Sequence, residues 1–142
     1  MTSVLVFIDA AVIPYTRYDA PATGVHRDQS WVADGRLPAA TSVLVIEEVW
    51  HLEYRGRPSL PEGTARAASE LFPVLLSVTP DHLRAAQEYP PSSLGTAGRL
   101  HAAVALDAGC EVIVTTDGAF DGLDGLRRVD PLDTHALTAL RS

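Results

Sequence analysis

The run V-L-V-F-I-D, Val4 to Asp9, is apolar until it stops at a carboxylate. A segment so short and so uniformly apolar fits a strand buried on both faces, the kind found inside parallel sheets. The chain then begins with the central strand of such a sheet, with Asp9 at its carboxyl end. Ligands of open α/β sheets bind in the crevice outside the carboxyl ends of the strands. A carboxylate at that place either serves a site or caps the next helix.

A second run of this kind, Glu111 to Thr115 with V-I-V at its heart, leads through T-T-D to Asp117. Leu37 to Thr41 is a short strand candidate, and Thr41 or Ser42 can cap the helix that follows, Val43 to Tyr54. Val45, Val49 and Leu52 define that helix's apolar face. At about 100° per residue, Glu48 falls roughly 60° from the centre of the face and Glu47 roughly 160° away. Glu48 therefore edges the buried side and Glu47 points to water. The plain alternative is that Glu48 is a boundary residue with no further role.

The remaining segments alternate in the same way. Ala10 to Tyr15 reads as a short helix or turn interrupted at Pro14, followed by a polar loop. Val25 to Asp34 has loosely helical spacing, with Gly35 as its C-cap. Arg55 to Pro61 is a loop, and Glu62 to Leu71 is an Ala-rich helix. Pro73 to Val78 is a third short buried strand, and Thr79-Pro80-Asp81 opens a helix running to about Glu88. Tyr89 to Gly95 is too rich in Pro, Ser and Gly to be regular. Thr96 to Ala108 is a helix with Leu100, Val104 and Ala108 on its main face, closed by Gly109. Gly118 to Leu123 is a short helix or loop, and Leu126 to Val129 an edge strand. Asp133 or Thr134 caps a last helix through Leu140. Strands alternating with helices signify a parallel α/β sheet covered on both sides. With no repeat or low-complexity tract, residues 1–142 read as a single domain.

Bulk properties narrow the function classes. A chain that is 46% hydrophobic and 20% charged is globular. One cysteine, Cys110, excludes an internal disulfide and suits a reducing cytoplasm. The N-terminal apolar run is too short for a signal peptide or a membrane span. The net charge is −7, and all 11 basic residues are arginine. That balance argues against a large non-specific nucleic-acid binder. It leaves room for an enzyme whose acids gather a metal and whose few arginines meet phosphate.

If the strands that end in Asp9 and Asp117 are neighbours, these acids and Glu48 converge at one edge of the sheet. Clustered carboxylates cannot all ionise in a partly desolvated place unless a cation balances them. An all-oxygen cluster suits Mg²⁺ or Mn²⁺. Such an ion activates water and stabilises charge on a phosphodiester in transfer.

With these residues in place the chain resembles the PIN-domain ribonucleases, and within them the VapC-like toxins of toxin–antitoxin pairs. V-L-V-F-I-D-A-A-V is similar to the family's first strand and acid. T-S-V-L-V-I-E-E-V resembles its second motif, whose acid lies six residues after the Ser and so selects Glu48. The stretch from Leu100 to Pro131, with L-H-A-A, T-T-D and F-D, resembles its C-terminal half. The resemblance implies a three-layer α/β/α fold with a central parallel sheet of four to five strands. It implies a Mg²⁺- or Mn²⁺-dependent endoribonuclease in which Asp9, Glu48 and Asp117 are catalytic, with Asp9 and Asp117 on the metal. It further implies an RNA substrate, a homodimer, and an antitoxin that covers a clip formed by Val25–Asp34 and Val43–Tyr54.

Two positions depart from the family pattern. Ala10 and Ala11 follow Asp9 where a small polar residue is usual. More consequentially, Gly98 stands three residues before His101, where the family carries a metal-binding Asp. By helical angle positions 98 and 101 share a side, so an acid at 98 would face the cluster, and Gly in the first turn of a helix offers no local stability. Three accounts stay open: an inactive relative, an acid removed deliberately or by selection, or replacement by another acid such as Asp121. Asp107 lies nine positions along the helix, about 13 Å away, and is a poor substitute. On the first two accounts Gly98→Asp restores Mg²⁺-dependent cleavage.

Other residues carry paired readings. Asp117 is a ligand or a cap for the turn at Gly118. Thr115 orients a ligand or merely ends a strand. His101 is a packed or supporting histidine rather than a general base. Arg99, Arg55 and Arg57 meet RNA phosphates or are solvated. Trp31 and Trp50 belong to the core or to a dimer contact. Against the nuclease stands a catalytically silent module that keeps the fold and the partner surface. A phosphotransfer receiver needs a Lys near its last strand, and the chain has none.

Overall fold

The computed structural model describes residues 4–10, 12–13, 38–56, 60–72 and 74–140. The segments carrying Val25–Asp34, Trp31 and Arg57 lie outside them. Strands β1 (Val6–Ile8), β2 (Ala39–Ser42), β3 (Leu75–Leu76), β4 (Val112–Val114) and β5 (Arg127–Val129) form one sheet in the order β3-β2-β1-β4-β5. Every pairing is parallel, and Ile8 stands opposite Val114. All residues of β1 and β4 are buried. That is why V-F-I and V-I-V need no polar alternation: both faces of these strands are covered. The described helices are α1 (Val43–Tyr54), α2 (Thr64–Leu71), α3 (Pro80–Gln87), α4 (Thr96–Asp107) and α5 (Thr134–Leu140). The architecture is the expected α/β/α with β1 at its centre.

Non-local bonds set the helix starts. Ser42, not Thr41, caps α1: its Oγ accepts from the Val45 N–H at 3.2 Å. The Thr41 hydroxyl instead donates to the Ile8 carbonyl at 2.8 Å, tying the end of β2 to the end of β1. Helix α2 starts at Gly63, whose φ of 90° is open to glycine at little cost. Its first N–H groups are capped from α1, where the Glu53 carboxylate accepts from Gly63 and Ala65 at 3.0 and 2.8 Å. His82 joins α3 to α4: its Nδ1 accepts from the Thr79 N–H at 2.9 Å, so Nε2–H donates to Asp107 at 2.8 Å. Asp133 accepts from the Ala136 N–H at 3.0 Å and so caps α5.

Several expected boundaries change. The segment Pro73–Val78 contributes only Leu75–Leu76, and at the sheet's edge Leu75 is 40% exposed rather than buried. Helix α4 buries His101 through Val104 and Ala105, a broader face than the expected one, while Leu100 is only half-buried. The wide face arises because α4 packs on the sheet with small Ala side chains and also meets α3. Trp50 is 59% exposed and so does not belong to the core.

Candidate functional site

The sheet order reverses direction between β1 and β4. The chain builds outward from β1 through β2 and β3, then returns to the other side for β4 and β5. A crevice outside the carboxyl ends of strands at such a switch point is where α/β sheets place ligands. Asp9 follows β1 and Thr115 follows β4 at this point. The Thr115 hydroxyl donates to Asp9 Oδ2 at 2.7 Å and accepts from the Asp117 N–H at 3.1 Å. Asp9 Oδ1 accepts from the Ala10 N–H at 2.7 Å. One backbone N–H and one hydroxyl thus fix the Asp9 carboxylate, which is only 7% exposed.

Glu48 arrives from α1 and His101 from α4. His101 Nε2 lies 3.0 Å from Glu48 Oε1 and 3.9 Å from Asp9 Oδ1. One ligand atom each from Asp9, Glu48 and His101 falls within 4.8 Å of the others. A carboxylate only accepts, so the short contact is an Nε2–H donating to Glu48. Glu47 is exposed, as its helical angle requires.

The His101 ring is 2% exposed and packs against Phe7, with ring centroids 6.0 Å apart. Its Nδ1 is buried and finds no hydrogen-bond partner among the described residues. An unpaired buried polar atom costs roughly 1–3 kcal/mol. A side chain needed only to fill space against Phe7 would do so at less cost as leucine. What the imidazole offers in return is its other end, directed at two carboxylates.

The other expected site residues lie elsewhere. Asp117 is exposed, and its carboxylate accepts from the Ala119 N–H at 2.9 Å, capping the 3₁₀ turn Gly118–Phe120. It reaches Asp9 only through Thr115, and it is not one of the grouped ligand residues. Asp121 is engaged by Arg128, whose Nε donates to it at 2.8 Å. That hydrogen bond holds the Asp121 carboxyl below its usual range. Arg99 is engaged within the chain. Its guanidinium donates to the carbonyls of Leu94 and Tyr89, each at 2.9 Å, and fastens the 89–95 loop to α4. Arg55 is exposed.

The surroundings of Gly98 are apolar. A Cβ at this position would lie 2.5 Å from Leu94 Cδ1 and 3.3 Å from Phe120 Cζ. Leu94 and Phe120 are 4% and 1% exposed. The direction in which an acid would project is filled by apolar packing, so the glycine admits Leu94 to the core. Gly98→Asp alone would meet this packing before it could reach the cluster.

The donor set of two carboxylates and an imidazole fits a divalent cation. It is not the all-oxygen set expected from the sequence. Among the described residues no helix is long and apolar enough to cross a membrane.

The PIN domain family profile matches residues 6–126. No curated protein matches the sequence. Among solved structures, VapBC2 from Rickettsia felis, bound to a promoter DNA fragment, aligns with TM-score 0.64 and 13% identity, covering 89% of this chain and 98% of its own. VapC20 from Mycobacterium tuberculosis, described as a Sarcin-Ricin loop cleaving toxin, aligns with TM-score 0.60 and 23% identity, covering 86% and 98%. A toxin–antitoxin complex from Klebsiella pneumoniae aligns with TM-score 0.60 and 18% identity, covering 89% and 97%.

Proposed function

This chain belongs to the PIN domain family, and from that premise we propose that it is a divalent-cation-dependent endoribonuclease, the toxin of a toxin–antitoxin pair. The supporting observation is the meeting of Asp9, Glu48 and His101 outside the carboxyl ends of the central strands. Asp9 and Glu48 hold the cation, Mg²⁺ or Mn²⁺ on the sequence expectation. When bound, that ion supplies an activated water and neutralises charge gathering on the phosphodiester. Thr115 and the Ala10 N–H orient Asp9 in advance. Asp117 acts through Thr115 in this reading, as a positioning residue rather than a ligand.

The partner is a cognate antitoxin. Exposed Trp50 borders a groove between α1 and α2 that is also lined by Ile46 and Arg66, and this is the surface it covers. The neighbouring toxin–antitoxin structures support an antitoxin partner, and the reading adds a homodimer acting in the cytoplasm.

The test is cleavage of a structured and a single-stranded RNA by purified protein, with and without Mn²⁺ or Mg²⁺. Cation-dependent cleavage that Asp9→Asn abolishes supports the reading. Equal residual activity in wild type and Asp9→Asn refutes it. The packed corner at Gly98 favours a second reading, a catalytically silent module that binds the antitoxin. That module would bind its antitoxin and leave both RNAs intact under every cation.

A further inference from the structure

We propose that His101 is itself a ligand, so that Asp9, Glu48 and His101 form a mixed nitrogen–oxygen site selecting a transition-metal dication over Mg²⁺. The inference rests on the nuclease reading and narrows which ion that site takes. Three observations carry it. The position that would supply another acid is packed with Leu94 and Phe120. Asp121 is paired with Arg128, and Asp117 caps its own turn. Among the described residues His101 is the donor that meets both acids: it is almost wholly buried, and its Nε2 lies 3.0 Å from Glu48 and 3.9 Å from Asp9.

The spacing suits a shared ion. Metal–nitrogen and metal–oxygen bonds of about 2.0–2.2 Å put neighbouring ligand atoms roughly 3.0–3.5 Å apart. The His101–Glu48 separation already lies in that range, and Asp9 needs only a small shift. Binding at Nε2 moves its proton to Nδ1, so the ring stays neutral and two carboxylates balance the dication. Imidazole is a good ligand for zinc, iron and nickel, whereas Mg²⁺ seeks oxygen and holds its water. Replacing a carboxylate by an imidazole also lowers the negative charge of the site, which weakens a hard ion most.

Co²⁺ serves as the probe, because its visible absorption reports coordination directly. The full-length protein is titrated with Co²⁺, then challenged separately with Zn²⁺ and with Mg²⁺. A parallel Mn²⁺-loaded sample is examined by pulsed electron paramagnetic resonance for a coordinated imidazole nitrogen. The expected result is displacement by equimolar Zn²⁺, no displacement by a hundredfold excess of Mg²⁺, and a nitrogen coupling in the Mn²⁺ sample. His101→Gln should lose roughly tenfold or more in Co²⁺ affinity, and lose the nitrogen signal, while its Mg²⁺ affinity changes little. If His101→Gln does not fold, the nitrogen coupling in the wild type decides alone. Absence of that coupling, or displacement of Co²⁺ by comparable Mg²⁺, overturns the proposal and leaves an all-oxygen nuclease site standing. If no cation binds and Asp9→Asn behaves as wild type, the cation-dependent nuclease reading falls with it.

Discussion

Gly98→Ala tests the packing at the closed corner with the smallest perturbation available. In an exposed helix interior this change stabilises by roughly 0.5–1 kcal/mol, because alanine loses less backbone entropy on folding. Here the new methyl group would sit 2.5 Å from Leu94 Cδ1 and 3.1 Å from its Cγ. Leu94 cannot swing into solvent freely, since Arg99 fastens its carbonyl and the side chain is buried. Overpacking of this kind costs about 1–3 kcal/mol. The net effect is therefore a loss of about 0–2.5 kcal/mol. In a Leu94→Ala background only Phe120 Cζ at 3.3 Å remains close, and the same change should be less costly, up to a stabilisation of about 0.5–1 kcal/mol. Urea unfolding of the four proteins gives the coupling directly, provided the m-values agree. A Gly98→Ala variant stabilised equally in both backgrounds would refute the packing argument and reopen the corner to an acid.

Other consequences can be checked in the same preparations. Thr115→Val removes the donor to Asp9 and the acceptor of the Asp117 N–H in a fully buried place. It should cost about 1–3 kcal/mol of unfolding free energy; an unchanged midpoint would show that the hydroxyl does not hold Asp9. Arg99→Met should expose the 89–95 loop to limited proteolysis and leave RNA affinity as it is; weaker RNA binding with an intact loop would make Arg99 a substrate contact. The Asp121 carboxyl is held below its ordinary 3.8, first by the Arg128 hydrogen bond. The folded form therefore binds fewer protons than the unfolded one at acid pH. The pair's stabilisation is present above about pH 3.8 and is lost as pH falls through the lower folded value. Asp121→Asn should flatten that acid limb, and superimposable limbs would contradict the pairing. Burial pushes the Cys110 thiol up to about 11, so iodoacetamide at pH 8 should modify it only when urea opens the fold; rapid native alkylation would contradict its burial.

What the sequence makes legible here is what depends on neighbours along the chain. V-L-V-F-I-D and V-I-V are read as buried strands because no polar residue interrupts them. Glu48 is separated from Glu47 by helical angle alone. The sequence reading misjudges features decided by distant partners. Gly98 looks like a missing ligand until the 89–95 loop returns Leu94 to the spot. Asp121 looks spare until β5 brings Arg128 beside it. His101 reads as packed or supporting although it shares a helix side with position 98. Only the placing of α4 against both the sheet and α1 brings Nε2 to Glu48. A signal was present in the single histidine on an alanine-rich buried face, but periodicity cannot say what lies opposite.

The same ring also sets how strongly the cluster can hold an ion. Without one, the Nε2–H donated to Glu48 keeps two acids and a buried ring compatible, so the site persists without a cation. An ion ligated by Nε2 must break that hydrogen bond and move the proton to Nδ1, which has no acceptor among the described residues. Nδ1 is unpaired before binding as a lone pair and after it as an N–H, so that cost largely cancels, and what binding forfeits is the Nε2–H hydrogen bond to the Glu48 carboxylate. Asp9 offsets part of this, since Thr115 and Ala10 already hold it and little ordering remains. The affinity is thus governed by the hydrogen bond that the ion-free site gives up as much as by the ligands themselves.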